Sequence, residues 1–227
     1  VITRNTLLYN LAFIVIGTVV SVIFAILLHE LGELLRGKFF QSVLLFPHLL
    51  SWVVTAYLVY ALLGSTTGFV NNTILNALGK KGVDWYTAKT AWPFILVIVY
   101  LWKNAGYNAI VYMAGIAGID KEIYEAAKID GANGWKTFWK ITVPLLKPTI
   151  IMTFIMSING TLQLFDESVN LTKGGPANST ITMSHYVYNT CFINVPNFGY
   201  AAAMSFIIFI MVAVLAFINL KVGDTRD

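Results

Sequence analysis

An all-α bundle of membrane-spanning helices is the fold class this sequence predicts, and three observations carry the prediction. Hydrophobic residues make up 57% of the 227 and charged residues only 11%, where a soluble domain carries about a quarter charged. Five apolar stretches are each long enough to cross about 30 Å of hydrocarbon, which takes about 20 residues of helix. The charges gather in the connectors, above all in residues 118–148. The whole chain, 1–227, reads as a single transmembrane domain.

Taken in order, the first stretch runs from Leu7 to Leu28 without a charge, and a short connector with Arg36 and Lys38 follows. The second covers Val43 to Leu63, with Pro47 near its start. Between Gly64 and Ala91 the pattern predicts a loop with a short surface helix, seated by Phe69, Ile74, Leu75 and Leu78 and ended by Gly79. The third stretch covers Trp92 to Ile116 and holds one charge, Lys103. The fourth begins after Pro148, stays uncharged until Asp166 and is expected to continue to Leu171. The segment Thr172 to Asn197 contains Lys173-Gly174-Gly175-Pro176, a turn by composition. The fifth stretch is Phe198 to Leu220.

The 118–148 connector carries its own signals. Asp120 is placed to cap a helix, since its carboxylate accepts from a free amide of the first turn. Glu122 and Glu125 then lie near the positive helix end and Lys128 near the negative one. Ala126 and Ala127 favour helix and leave little side chain, and Gly131 suits the left-handed position that stops it. A helix from Lys121 to Asp130 is expected. A second starts near Asn133 or Gly134, with Trp135, Phe138, Trp139 and Thr142 on one face and Lys136 and Lys140 on another. That pattern suits a helix lying along the membrane interface. Pro144 and Pro148 are expected to end it.

Lys and Arg counts set the orientation. With the 118–148 connector in the cytoplasm, Arg36, Lys38, Lys121, Lys128, Lys136, Lys140, Lys147, Lys221 and Arg226 fall on that side. Arg4, Lys80, Lys81, Lys89 and Lys173 fall opposite. The carboxyl terminus is then cytoplasmic and the amino end outside, so an upstream spanning helix is expected to be missing.

Enzyme chemistry is not legible. The phosphate-cradling pattern G-x-x-x-x-G-K-[ST] is absent, as are H-E-x-x-H and G-x-S-x-G. His29, His48 and His185 are scattered, with packing as their default role. The single cysteine, Cys191, excludes an internal disulfide and a cysteine-rich metal site.

Glu125-Ala126-Ala127, then Gly131 after three residues, then Ile141-Thr142-Val143-Pro144, resembles the signature loop of binding-protein-dependent ABC importer permeases. Val143 stands where that family usually has Leu. Gly174-Gly175-Pro176 with Thr180, and Phe198-Gly199-Tyr200-Ala201-Ala202-Ala203, are similar to the carbohydrate-uptake branch, in particular to its maltose-transporter-type first permeases. Asn5-Thr6-Leu7, Pro47, Trp102-Lys103 with Gly106, and Ile129-Asp130-Gly131-Ala132 agree, so the likeness covers nearly the whole chain.

The resemblance implies a non-catalytic permease subunit in a bacterial plasma membrane, forming half of a path for a sugar or oligosaccharide. Members commonly have six spans. It implies a second permease, two ATPase subunits that use ATP and Mg, and an extracytoplasmic solute-binding protein, with no cofactor on this chain. Glu125, Ala126, Ala127, Asp130, Gly131, Ala132 and Pro144 would meet the ATPase.

Polar residues inside apolar helices are costly facing lipid and mark a path or a partner contact. Asn159, Gln163, Asp166 and Asn170 recur at i, i+4, i+7 and i+11 and predict a polar stripe on one helix. Lys103, Asn104, Tyr107 and Asn108 form a second set. Lys103 lies about 16 Å into its helix at 1.5 Å per residue, and a cavity or a carboxylate, Asp166 or Glu167, is its expected neighbour. Interhelical hydrogen bonding is the competing explanation for each residue. Among functions, a peptide or amino-acid cargo is the alternative. A secondary transporter would need repeats with broken helices at matching positions, and none is read.

Overall fold

A computed structural model describes residues 1–31, 35–161 and 164–224, without the side chains of 35, 36, 159, 161, 218–220 and 222–224. The described residues contain helices and turns and no strand. The helices are α1 (Ile2–Glu30), α2 (Leu35–Leu49), α3 (Trp52–Leu63), α4 (Trp92–Ala117), α5 (Lys121–Ile129), α6 (Gly134–Thr137), α7 (Val143–Thr161), α8 (Asp166–Thr172), α9 (Met183–Tyr188) and α10 (Phe198–Asp224). Wider π-helical turns cover Val70–Leu75, Phe138–Thr142 and Asn189–Ile193.

Among the described residues, four segments are long and apolar enough to cross a membrane: Ile2–Glu30, Trp92–Ala117, Gly134–Ile158 and Phe198–Phe217. A fifth exists if the broken pair Gly37–Leu49 and Trp52–Leu63 counts as one span. The expectation of one helix over Val43 to Leu63 is therefore corrected. Ser51 is extended and its hydroxyl accepts from the Val54 amide at 3.2 Å, so a new helix is capped and started where the old one ends.

The fourth span is also corrected, at both ends. Pro144 and Pro148 do not end a helix; α7 begins at Val143 and holds both. Pro144 sits in the first turn of α7, where a missing amide is harmless. The π turn just before it joins α6 to α7, so Gly134–Ile158 runs as one long segment. At the other end α7 stops at Thr161, Leu164 and Phe165 are not helical, and α8 starts afresh at Asp166 instead of continuing a helix to Leu171. The Leu164 carbonyl, freed from the helix ladder, accepts from the Thr182 hydroxyl at 2.6 Å.

The chain folds as two compact units. One comprises Val1–Phe13, Leu50–Tyr100 and Ile158–Asp227. Its core holds Tyr9, Phe13, Val59, Trp92, Leu96, Val99, Leu164 and Leu171, with Phe13 and Tyr100 stacked at 3.8 Å. The other comprises Ile14–Leu49 and Leu101–Ser157, around Val22, Ala25, Leu28, Ala109, Tyr112, Ile116 and Leu146. Lipid is as apolar as leucine, so packing here relies on close backbone approach and polar contacts. Gly106 shows the first: a Cβ there would sit 1.9 Å from the Leu44 carbonyl oxygen. Tyr112 and Thr153 show the second, with hydroxyls 2.7 Å apart.

Candidate functional site

The α5–α6 element is built as its sequence predicts, one residue shorter. Asp120 caps α5 by accepting from the Glu122 amide at 3.0 Å. At the far end the Ala132 amide donates to the Ala127 carbonyl at 2.9 Å and the Gly131 amide to the Lys128 carbonyl at 3.2 Å. That reciprocal pair closes a Schellman turn, and it requires Gly131 at φ +73°. Asn133 then caps α6, accepting from the Lys136 amide at 2.9 Å.

Of the residues named for ATPase contact, Ala127 is buried while Glu125, Ala126, Asp130 and Gly131 are exposed; Ala132 is half-buried. Ile129 is 87% exposed. Pro144, exposed in α7, stands apart from this surface in sequence and in element. Beside the element lies a groove of about 350 Å³, lined by His29 and Glu30 of α1 with Tyr124, Glu125, Lys128 and Phe138. Tyr124 reaches the Thr142 hydroxyl at 3.3 Å, which ties α5 to the π turn before α7. A displacement of α5 thus has a direct route into a membrane-length helix. Trp135, Phe138 and Trp139 form a ring cluster with centroids 4.9–6.2 Å apart, and both tryptophans are largely exposed.

Lys103 is only 5% exposed. Its ammonium donates to the Pro47 carbonyl at 3.3 Å and the His48 carbonyl at 3.1 Å, the last carbonyls of α2. A cation on the last carbonyls of a helix, at its negative end, is favourable electrostatically. Next to it Tyr107 stacks on His48 at 4.4 Å. Lys103 thus secures α2 where the broken pair divides. Asn104 and Asn108 are half-buried and Tyr107 is exposed.

The predicted stripe on one helix is not formed. Gln163 lies outside the described residues, as does the side chain of Asn159. Asp166 opens α8, exposed, and Asn170 donates to the Asp166 carbonyl at 2.8 Å. The periodicity assumed an unbroken helix, and the break before α8 removes it.

A dense polar network surrounds α8 and α9. Ser168 donates to the Thr180 carbonyl at 2.7 Å, so its hydroxyl must accept from Nδ1 of His185, also at 2.7 Å. Burial pushes the His185 pKa below its ordinary value. From α1, Asn5 donates to the carbonyls of Asn178, Ser179 and Ile181 at 3.0–3.2 Å. Tyr9 donates to Ser179 at 2.7 Å, and Thr6 accepts from the Met183 amide at 3.0 Å. Asn71 plays the same part in the 64–91 loop, donating to Val83 and accepting from Val83 and Trp85 at 2.8–3.1 Å. Buried asparagines in a polar-looking loop carry no distinctive pattern. Of these residues, Asn5, Thr6 and Thr180 are marked by the resemblance alone.

No group of three or more His, Cys, Asp or Glu among the described residues is placed to hold a metal ion. Residues 4–223 match the family described as "Binding-protein-dependent transport system inner membrane component". The lactose transport system permease protein LacF of Rhizobium radiobacter is 42% identical over 98% of this chain and 75% of its own length. The multiple sugar-binding transport system permease protein MsmF of Streptococcus mutans is 34% identical over 96% of this chain and 73% of its own. The crystal structure of a bacterial alginate ABC transporter, in complex with an alginate pentasaccharide-bound periplasmic protein, superposes with a TM-score of 0.88 at 27% identity. It covers 96% of this chain and 75% of the matched one. The chain therefore belongs to the binding-protein-dependent ABC importer permeases, multi-pass inner-membrane subunits that are not catalytic and whose ATPase is a separate protein.

Proposed function

We propose that this permease carries a sugar or short oligosaccharide, delivered by an extracytoplasmic binding protein, through a path it shares with a second permease. Two ATPase subunits dock on the α5–α6 element, which faces the cytoplasm with the carboxyl terminus. The observation that carries this reading is the exposed α5–α6 surface, held in shape by two caps and a left-handed glycine yet joined to α7 through Tyr124 and Thr142. ATP-driven closure of the ATPases moves α5, and the long helices exchange inward-open and outward-open cavities. Relatives whose names specify lactose, multiple sugars and trehalose/maltose support the cargo.

Glu125, Ala126, Asp130, Gly131 and Ala132 form the ATPase contact, Ala127 is buried beneath it, and Pro144 sets the start of α7. On α4, Asn104, Tyr107 and Asn108 line the path, with Lys103 beside them as the anchor of α2. Affinity purification of a tagged chain from its native membrane tests the assembly: a second permease and an ATPase should co-purify, and uptake of labelled di- or trisaccharide should need all three. Recovery without any ATPase would sink the reading. An impermeant thiol reagent tests the orientation, after replacement of Cys191. It should label cysteines placed at 174–179 from outside, and those at 128–140 only in opened vesicles.

A further inference from the structure

We propose that a recess walled by α3, the 64–91 loop and α8 is a second sugar-recognition subsite, on the side from which the binding protein delivers its cargo. The inference rests on the carbohydrate reading above and adds a place and a chemistry to it. The recess has a volume of about 470 Å³ and lies within one of the two compact units, in the range of small-molecule sites. Its walls carry Tyr57, Tyr60, Tyr86, Asn170, Leu171 and Lys173.

The composition points to a pyranose ring. Three phenol rings offer faces for the C–H side of a sugar and hydroxyls for its edge. Tyr60 and Tyr86 stand 5.7 Å apart at 58°, forming a corner instead of a flat stack, and Tyr86 is held there against the fully buried Trp92 at 5.0 Å. Asn170 uses one amide proton on the Asp166 carbonyl, which leaves its second proton and its oxygen for a hydroxyl pair.

Lys173 supplies the independent sign. It caps α8 at φ 54°, ψ 34°, a left-handed position where glycine is the default. Glycine is the next residue, Gly174, itself at φ 83°. A long cationic side chain kept at a strained position on the rim of a recess points to a use for that side chain. An ammonium there donates to sugar hydroxyls, or to the carboxylate of an acidic sugar.

The assembled transporter, with its binding protein, is reconstituted in liposomes and assayed for uptake of lactose, raffinose and digalacturonate. Two variants leave the fold intact: Tyr57→Ala, because Tyr57 is 73% exposed, and Lys173→Gly, which relieves the left-handed strain. Each should raise KM about tenfold for the transported sugar, more for a trisaccharide than a disaccharide, with subunit assembly and melting temperature unchanged or, for Lys173→Gly, improved. Wild-type KM in both variants would overturn the subsite and leave the carbohydrate reading standing. A wild-type complex that takes up none of the three sugars overturns both. Loss of the partner permease in either variant, with KM unchanged in the remaining complex, assigns the recess to subunit packing and also overturns it.

Discussion

The α5–α6 element and the α8–α9 element are both short polar helix pairs set between apolar helices, yet their polar groups face opposite ways. Around α8 and α9, Ser168, Thr180, Thr182 and His185 are buried and bonded to one another or to backbone, and Asn5, Thr6 and Tyr9 are bonded into the same loop. In α5–α6, Glu122, Glu125, Lys128 and Asp130 are exposed, while the caps and the turn are bonded internally. A region whose polar groups satisfy each other is a structural clamp, because each buried group would cost about 1–3 kcal/mol if left unpaired. A region that keeps only its backbone shape and presents its side chains to solvent is shaped for a partner. Substitutions should therefore separate the two: stability is lost first at one, assembly first at the other.

The largest effect is expected at Gly131. Gly131→Val forces a β-branched residue to φ +73°, a genuine outlier for such a side chain, and re-aims α5 against α6. Sugar uptake should fall below about a tenth of wild type, with little ATPase co-purified and the permease itself still folded. Normal uptake would remove the docking assignment. Next is Asn5→Leu, which strips the donor from three carbonyls at once. Thermal unfolding in detergent should show a loss of about 2–3 kcal/mol, with ATPase attachment kept in the surviving protein. If instead stability holds and only sugar preference changes, the clamp is a binding site.

Ser168→Ala is a milder break, expected at about 1–2 kcal/mol because it leaves Nδ1 of buried His185 without its partner. The same histidine gives a pH signature. Its folded pKa lies below the ordinary value near 6.5, so below that pH the unfolded chain binds more protons than the folded one. Stability is then complete above about pH 6.5 and declines as pH falls toward the folded value. His185→Gln should flatten the decline between about pH 7.5 and 5.5, as read by melting temperature. A decline of equal size in the variant would assign it to other groups. The smallest change is expected from Glu125→Gln. It should shift stability by less than about 0.5 kcal/mol, as exposed substitutions do, while weakening ATPase co-purification several-fold at elevated salt. Equal recovery of the ATPase at every salt concentration would take Glu125 out of the contact.

Both elements bear on how far the sequence could be read. The α5–α6 element was legible to within a residue because its signals are local. Asp120, Gly131 and Asn133 each act on amides or carbonyls within five residues. The membrane-length helices were legible from length and apolarity, which lipid enforces whatever the tertiary contacts. The stripe from Asn159 to Asn170 failed because apolarity continues through a break that hydrogen bonds from elsewhere hold open; Thr182 takes the Leu164 carbonyl from 18 positions away. Pro144 and Pro148 stop nothing here: Pro144 sits in the first turn of α7, where a missing amide is tolerated, and α7 continues through Pro148.

What the sequence determined by itself is the class of molecule and one local element: helices long enough for lipid, and a capped, glycine-ended α5 between them. What tertiary structure alone decided is where each polar residue's partner lies. Lys103 reads as an anomaly in a helix until α2 brings two carbonyls 3.1 and 3.3 Å from its ammonium, 55 and 56 positions away in the chain. Asn5 is an ordinary polar residue until carbonyls from 178–181 close on its amide. The reason is physical: caps and spans are fixed by neighbours along the chain, whereas a buried donor takes whichever acceptor the packing of distant helices delivers.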